Sequence, residues 1–437
     1  MNPPRIAALT QDAALDPENP GRYRALAAAH REAGEEVAAM AAELAATALE
    51  ARSALALYNL ATACFQAGQR AEAKRWYQLT LRLDPALVAA HRNLAAILET
   101  EGLLAQAQLH RDEAYGRQSI FVEPAAVEAQ RVLLLAASGY GNVPVEGLFP
   151  PASATRITWF IDYAKPGDAG RLPAFDLAFN ASGDPDMAGP LLPEVAGFLA
   201  RLQQPLLNPA AAVARTQRHL LPDLLADIPD VVVPPVARVA RDALADGAPA
   251  AGIGFPLILR PAGAHGGRGV SLVATPEQLA AAELGETTDW YVTGYRDYRS
   301  PDGYFRKYRA IFVDREPYPY HLAISQHWLV HFFSADMLHP SWKRAEEQRF
   351  LEDPAHALGR AAMAALRAIG RRLDLDFCGI DFALDAHGSV LVFEANATML
   401  VHLKDDPAQF PYKHRHVPKI FAAFTAMIAR RIAGQTR

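Results

Sequence analysis

A chain of 437 residues with a net charge of -5, 51% apolar and 21% charged residues has the composition of a soluble globular protein, and its length calls for two or three domains. It shows no basic stripe for nucleic acid and no apolar run near the roughly 18 residues of a membrane span. Its polar, acidic start, MNPPRIAALTQDAALDPENP, does not resemble a secretory signal, so the expected location is cytoplasmic; Cys64 and Cys378 stand far apart in apolar contexts and read as buried thiols.

The first 121 residues repeat. Segments 20–53, 54–87 and 88–121 superpose without a gap and align Leu26, Leu60 and Leu94, with Ala27, Ala61 and Ala95 beside them. The same frame aligns Gly34, Gly68 and Gly102, then Ala39, Ala73 and Ala107, a period of 34 (60 - 26 and 94 - 60). Small residues at Ala27 and Ala39 let two antiparallel helices approach, and Gly34 falls at their turn, so each unit is a helix-turn-helix that buries its apolar stripe on the next. Leu83-Asp84-Pro85 closes the second unit, and Leu15-Asp16-Pro17 stands two periods earlier, where proline suits an inter-helix turn. This pattern resembles the tetratricopeptide repeat, with departures at Ala51, where the closing proline is absent, and at His30, where a bulkier packing residue is usual. The resemblance implies an all-α domain over residues 1–124 that recognises a peptide or protein partner.

Past Phe121-Val122-Glu123-Pro124 the pattern changes. The run at 131–137 (RVLLLAA) reads as a buried strand, and strand-like runs recur at 157–163, 175–181, 231–233 and 255–260 with helical stretches between them, which indicates α/β layers. From Tyr291 onward the strands, at 308–314 and 321–325, are longer and closer, as in an antiparallel sheet. Residues 355–373 read as one helix, and 377–384 with 390–394 as a hairpin turning at Asp385-Ala386-His387-Gly388.

That hairpin carries the strongest chemical signal. Strand alternation points Glu394 and Asn396 to one face, and the hairpin can bring Asp381 beside them. Two carboxylates and an amide oxygen suit a hard cation such as magnesium held together with substrate phosphates. The apolar neighbours Ile380, Phe382, Val392 and Phe393 mean that the carboxylates need a partner. The second signal is PLILRPAGAHGGRGVSLV (256–273), in which a strand ending at Arg260 enters a loop with Gly263, His265, Gly266, Gly267 and Gly269. Glycines let backbone N–H groups close on phosphate oxygens, and the cation offsets their charge.

A glycine loop followed about 120 residues later by metal-type carboxylates resembles the ATP-grasp superfamily, in the branch of glutathione synthetase, D-alanine-D-alanine ligase and the ribosomal-protein glutamate ligase. The resemblance covers residues 131–430 and implies an α/β ATP-grasp fold, so the chain as a whole is expected to be an α+β multidomain protein. A substrate domain would span 125–235 and the nucleotide-binding and catalytic domain 236–437. ATP and Mg2+ are implied, as two ions with Mn2+ able to substitute: the glycine loop on the triphosphate, Asp381, Glu394 and Asn396 on the metal, Arg309 on the transferred phosphoryl group, and the adenine hinge around Tyr291 to Gly294, with Tyr291 and Val292 as its named residues. The family's two lysines are replaced by Arg260 and by Arg215 or Arg218, with Arg218 preferred. Lys307 stands where the family often has an acid and can supply a lysine charge.

The implied activity is ADP-forming ligation of a carboxylate and an amine through an acyl phosphate. Candidate substrate contacts are the loop SGYGNVPVEG and Asn180. A nucleotide-gated adaptor without turnover and an ATP-grasp kinase are the alternatives. His321, His327, His331 and His339 cluster among aromatic residues without tight zinc spacing, so His321 and His331 read as core or substrate-pocket residues.

Overall fold

The structure is a computed structural model that describes residues 3–127, 130–187, 190–245, 252–264, 266–285 and 287–434. The chain divides into two compact units, Met1–Ser119 and Ile120–Arg437.

The first unit is helical: α1 (Pro3–Leu15), α2 (Pro20–Glu32), α3 (Glu36–Glu50), α4 (Ala54–Gln66), α5 (Arg70–Leu83), α6 (Val88–Thr100) and α7 (Leu104–Arg117). Helices α2 and α3, α4 and α5, and α6 and α7 pack as successive pairs. The aligned leucines Leu26, Leu60 and Leu94 and the six aligned alanines are all buried. Gly34, Gly68 and Gly102 have φ of 76°, 79° and 77°, and a Cβ on any of them would meet nothing within 4 Å. Backbone handedness, not lack of space, therefore selects glycine at these turns. Each turn closes with the same bond across five residues, Glu35 N–H to His30 O, Gln69 N–H to Cys64 O and Leu103 N–H to Leu98 O, all at 2.9 Å, the helix-ending arrangement that satisfies an orphan carbonyl. The spacing of 34 in sequence is thus a spacing of equivalent local structures.

The second unit is mixed α/β. Its first sheet contains β1 (Ile120–Glu123), β2 (Gln130–Ala136), β3 (Ala154–Phe160), β4 (Leu177–Asn180) and β5 (Leu206–Leu207), in the order β1-β3-β2-β4-β5. Strand β1 pairs antiparallel with β3, which places 120–123 in this unit, ahead of the boundary read from the sequence after 124. The remaining pairs are parallel, and the strand expected at 157–163 gives way to a 3-10 turn at Ile161–Tyr163.

Strand β6 (Val231–Val232) precedes a four-stranded antiparallel sheet of β7 (Val236–Ala240), β8 (Leu257–Pro261), β9 (Ser271–Val273) and β10 (Asp289–Gly294), ordered β7-β10-β8-β9. The third sheet holds β11 (Phe305–Val313), β12 (Glu316–Ser325), β13 (Phe377–Leu384) and β14 (Val390–Asn396), ordered β12-β11-β13-β14-β6. The segment expected as a separate substrate domain is tied into this last sheet twice. Strand β6 pairs with β14, and the buried Asn208 donates to Phe377 O at 2.7 Å while accepting from the N–H groups of Asp376 and Phe377.

The helix expected over 355–373 is two helices, Pro354–Leu358 and Arg360–Leu373, parted at Gly359 (φ 88°). The second covers the third sheet with Ala362, Met363, Leu366, Ile369 and Leu373. Its Gly370 lies so close to β11 that a Cβ there would run into the Arg315 carbonyl oxygen and approach the Phe312 ring to 2.7 Å. Gly370→Ala is therefore expected to destabilise the second unit by about 1–3 kcal/mol, the usual cost of overpacking. Denaturant unfolding checks this, and an unchanged midpoint would contradict the close approach.

Candidate active site

Three neighbouring strands of the last sheet carry charges in register. Arg309 on β11 lies directly across from Asp381 on β13, and Asp381 across from Glu394 on β14. Cross-strand partners share a face, so the three side chains form a row across the sheet. A register shift beyond Asp381, where Phe382 pairs with Val392 and Phe393 is passed over, sets Glu394 opposite Asp381. His321 on β12 continues the row beyond Arg309, and Lys307 lies two residues before Arg309, on the same face.

Four cations meet the two carboxylates. Arg309 grips Asp381 with two hydrogen bonds, Nε to Oδ1 at 2.6 Å and Nη2 to Oδ2 at 3.0 Å, and Lys307 Nζ stands 3.1 Å from Oδ2. Arg218, from the 3-10 turn Arg218–Leu220, pairs with Glu394 Oε2. Arg260, at the end of β8, lies 3.6 Å from the same oxygen and donates to the Ala264 carbonyl at 3.3 and 3.1 Å, bracing the start of the glycine loop. Arg215, the other candidate in that segment, instead donates to Leu373 O.

Burial by itself would raise the pKa of Asp381, yet Arg309 and Lys307 hold it well below the usual carboxylate range. Burial opposes ionisation of Glu394 too, and Arg218 and Arg260 outweigh it and bring the group down to about 2. Burial, followed by repulsion from Arg218, lowers Arg260 to about 10, which leaves it protonated at neutral pH. Four positive charges against two negative ones leave a site that favours a further anion.

Arg309, Asp381 and Glu394 of this row line a cavity of about 590 Å³ between the second and third sheets. Apolar walls come from Leu221, Val233, Val236, Ile258, Val270 and Val392, and aromatic ones from Tyr295, Tyr298, Trp328, Phe333 and Phe393. Such a volume, apolar with a few convergent polar groups, is typical of a small-molecule site.

The structure gathers most of the residues singled out from the sequence and leaves some outside. Arg218, Arg260, Gly266, Gly267, Lys307, Arg309, Asp381 and Glu394 line the cavity. Gly263 packs toward Met187, and Gly269 against Pro261. His265 lies outside the described residues. Tyr291 and Val292 are buried in β10 with neighbours on both sides, and the Tyr291 hydroxyl donates to Asp186 Oδ1 at 2.5 Å. The part of this segment that reaches the cavity wall is Thr293–Arg296, so the expected hinge stretch 291–294 is divided: its second half lies on the wall, and Tyr291 and Val292 lie within the paired interior of the sheet. Asn396 continues the strand face of Glu394, but its Oδ1 accepts from both the N–H and the hydroxyl of Thr398 at 2.6 Å.

His331 lines the cavity, His321 is buried across from Arg309, and His327 and His339 are exposed. The sequence reading missed Asp186, in an unremarkable GDPDM turn. It also missed the wall made by 328–334, for which the histidine and aromatic cluster was the available signal.

The donor set fits a divalent cation in its chemistry. Asp381 and Glu394 are hard, ionised oxygen donors side by side, and the ion pairs of Glu394 both fall on Oε2.

The family described as Carbamoyl-phosphate synthase L chain, ATP binding domain, matches residues 217–289. This stretch runs from the Arg218 turn through the glycine loop to the start of β10. No curated protein matches the chain significantly. Similar solved structures include a D-alanine--D-alanine ligase from Bacillus anthracis complexed with ATP, at 12% identity and a TM-score of 0.40 over 70% of this chain and 97% of that one. A RimK domain ATP-grasp protein from Sphaerobacter thermophilus matches at 18% identity and a TM-score of 0.38, over 69% and 99% of the two chains. The VanG D-Ala:D-Ser ligase from Enterococcus faecalis matches at 12% and 0.42, over 69% and 100%.

Proposed function

We propose that the second unit is an ATP-dependent carboxylate-amine ligase that forms an amide or peptide bond through an acyl phosphate. In this reading the helical first unit, a tetratricopeptide-like array, recognises a peptide or protein partner. The observation that carries the reading is the row of Arg309, Asp381 and Glu394, flanked by Lys307, Arg218 and Arg260, in the wall of a largely apolar cavity. A cavity that combines apolar walls with a cluster of excess positive charge suits a nucleotide, whose base and polyphosphate make those two demands.

A carboxylate is a poor electrophile because oxide cannot leave. Transfer of the γ-phosphoryl group to a carboxylate oxygen, with ADP departing, makes phosphate the leaving group. An amine then attacks the carbonyl carbon, the C–O bond to phosphate breaks, and the nitrogen sheds a proton. Transfer of this kind requires positioning and charge neutralisation more than covalent help. Arg260 and Arg218 would bind the phosphates, and Arg309 and Lys307 would steady the transferred group. Gly266 and Gly267 would bring main-chain N–H groups over it and exclude water. Mg2+, held by Asp381 and Glu394 with Asn396 on the same strand, would supply neutralisation of developing phosphate charge. The loop at 138–147 and Asn180, at the ends of β2 and β4, are the proposed substrate contacts in the first sheet.

Arg260→Ala removes a charge-assisted phosphate contact worth about 1.5–3 kcal/mol and frees the Ala264 carbonyl. Affinity for Mg-ATP, measured by calorimetric titration, is expected to fall roughly ten- to a hundredfold. Unchanged affinity in a folded variant would mean that the phosphates lie elsewhere.

A further inference from the structure

The segment that follows β12 faces the glycine loop across the cavity. His331 is its polar member on the wall nearest that loop: Nε2 stands 3.8 Å from the point a Cβ on Gly266 would occupy, and Leu329 lies beside Gly267 in the same way. The other ring nitrogen is committed, because Nδ1 accepts the Phe333 N–H at 3.4 Å and caps the 3-10 turn Phe332–Ser334. A neutral imidazole whose Nδ1 accepts carries its hydrogen on Nε2. The turn therefore fixes the tautomer and aims an N–H donor at the cavity.

We propose that His331 is a further catalytic residue of this site, donating a hydrogen bond from Nε2–H to an oxygen of the phosphoryl group in transfer. The role rests on the ligase reading above and extends it to a residue outside the row of charges. The groups around the ring agree with a neutral donor. Burial, then the cations Lys307 and Arg309, lower the His331 pKa, and Asp381 opposes them in part. A neutral donor adds no charge to a site that already holds four cations, and it strengthens its bond as negative charge gathers on the phosphoryl oxygens. His327 supplies an internal control: its Nδ1 likewise accepts the N–H two residues on, that of Leu329 at 3.2 Å, but the residue is exposed and is not part of the cavity wall.

The test compares His331→Gln, His331→Asn, His331→Ala and His327→Ala in the full chain, reading ADP release from Mg-ATP with pooled amino acids and peptides, together with Mg-ATP affinity. Glutamine can place an N–H near the position of Nε2 but loses the turn acceptor, whereas asparagine keeps an acceptor near the position of Nδ1 and loses the donor. Loss of a transition-state donor is expected to lower kcat roughly a hundred- to a thousandfold in His331→Ala, with ATP affinity changed less than about threefold, about 0.7 kcal/mol or less. His331→Gln should recover at least a tenth of wild-type activity, His331→Asn should resemble alanine, and His327→Ala should match wild type. Activity in His331→Asn equal to or above that of His331→Gln, or wild-type activity in His331→Ala, overturns the donor role and leaves the ligase reading standing. Wild-type protein that binds Mg-ATP and releases no ADP overturns the ligase reading and this role with it.

Discussion

Glu394→Gln is expected to lower ATP turnover by roughly a hundred- to a thousandfold, the range seen when a preorganised electrostatic contact is removed from a transition state. The substitution keeps size and hydrogen-bonding capacity and deletes one charge. In the proposed site that charge serves two ends: it binds the cation on the phosphates, and it balances Arg218 and Arg260, which both approach its Oε2. Two consequences separate these roles. The Mg2+ concentration for half-maximal activity should rise, because one of two adjacent anionic donors is gone. The melting temperature of the nucleotide-free protein should fall, because two arginines keep their charges without their counter-ion. Titrating Mg2+ against ADP release, with a thermal melt of the same samples, measures both. Wild-type turnover in Glu394→Gln would remove the carboxylate row from the mechanism.

Arg309→Met should be the most damaging single change to stability in the row. Asp381 is 2% exposed, and Arg309 supplies both of its short guanidinium bonds. Methionine leaves that buried carboxylate with Lys307 alone, and breaking a buried pair in this way costs about 3–5 kcal/mol. Turnover should disappear as well, since the same guanidinium is proposed to meet the transferred group. Asp381→Asn in the same background distinguishes the two effects. Removing the stranded charge should recover much of the lost stability, because residues in direct contact do not add, but it should not restore activity. Chemical denaturation of the two single variants and the double variant tests this. Additive losses would mean that Arg309 and Asp381 are energetically independent, in conflict with their geometry.

The parts of this fold legible in the sequence are those where one residue type answers one physical demand. Gly34, Gly68 and Gly102 recur because each turn requires a left-handed residue, so the period of 34 could be read directly. The hairpin carrying Asp381 and Glu394 was legible from two nearly continuous apolar runs on either side of Asp385-Ala386-His387-Gly388. Features set by pairing partners were hidden. Nothing local marks the register shift at Phe382 that brings Glu394 opposite Asp381, or which residues of the stretch 291–294 stay inside the sheet and which, with Tyr295 and Arg296, reach the cavity wall. The break at Gly359 was masked because helix-forming residues stand on both sides of it. That Arg218, and not Arg215, meets Glu394 depends on the Arg218–Leu220 turn, which sequence periodicity does not reveal.

The most direct test of the account follows oxygen. The full chain is incubated with Mg-ATP and pooled amino acids, peptides and small acids whose carboxylates carry oxygen-18, and the nucleotide, phosphate and organic products are read by mass spectrometry. Ligation through an acyl phosphate predicts ADP, a new amide, and one labelled oxygen in inorganic phosphate for each amide formed, because the carboxylate oxygen that accepts the phosphoryl group leaves with it. A stable phosphorylated product without amide, amide formed with AMP, or Mg-ATP binding with no ADP released would contradict it.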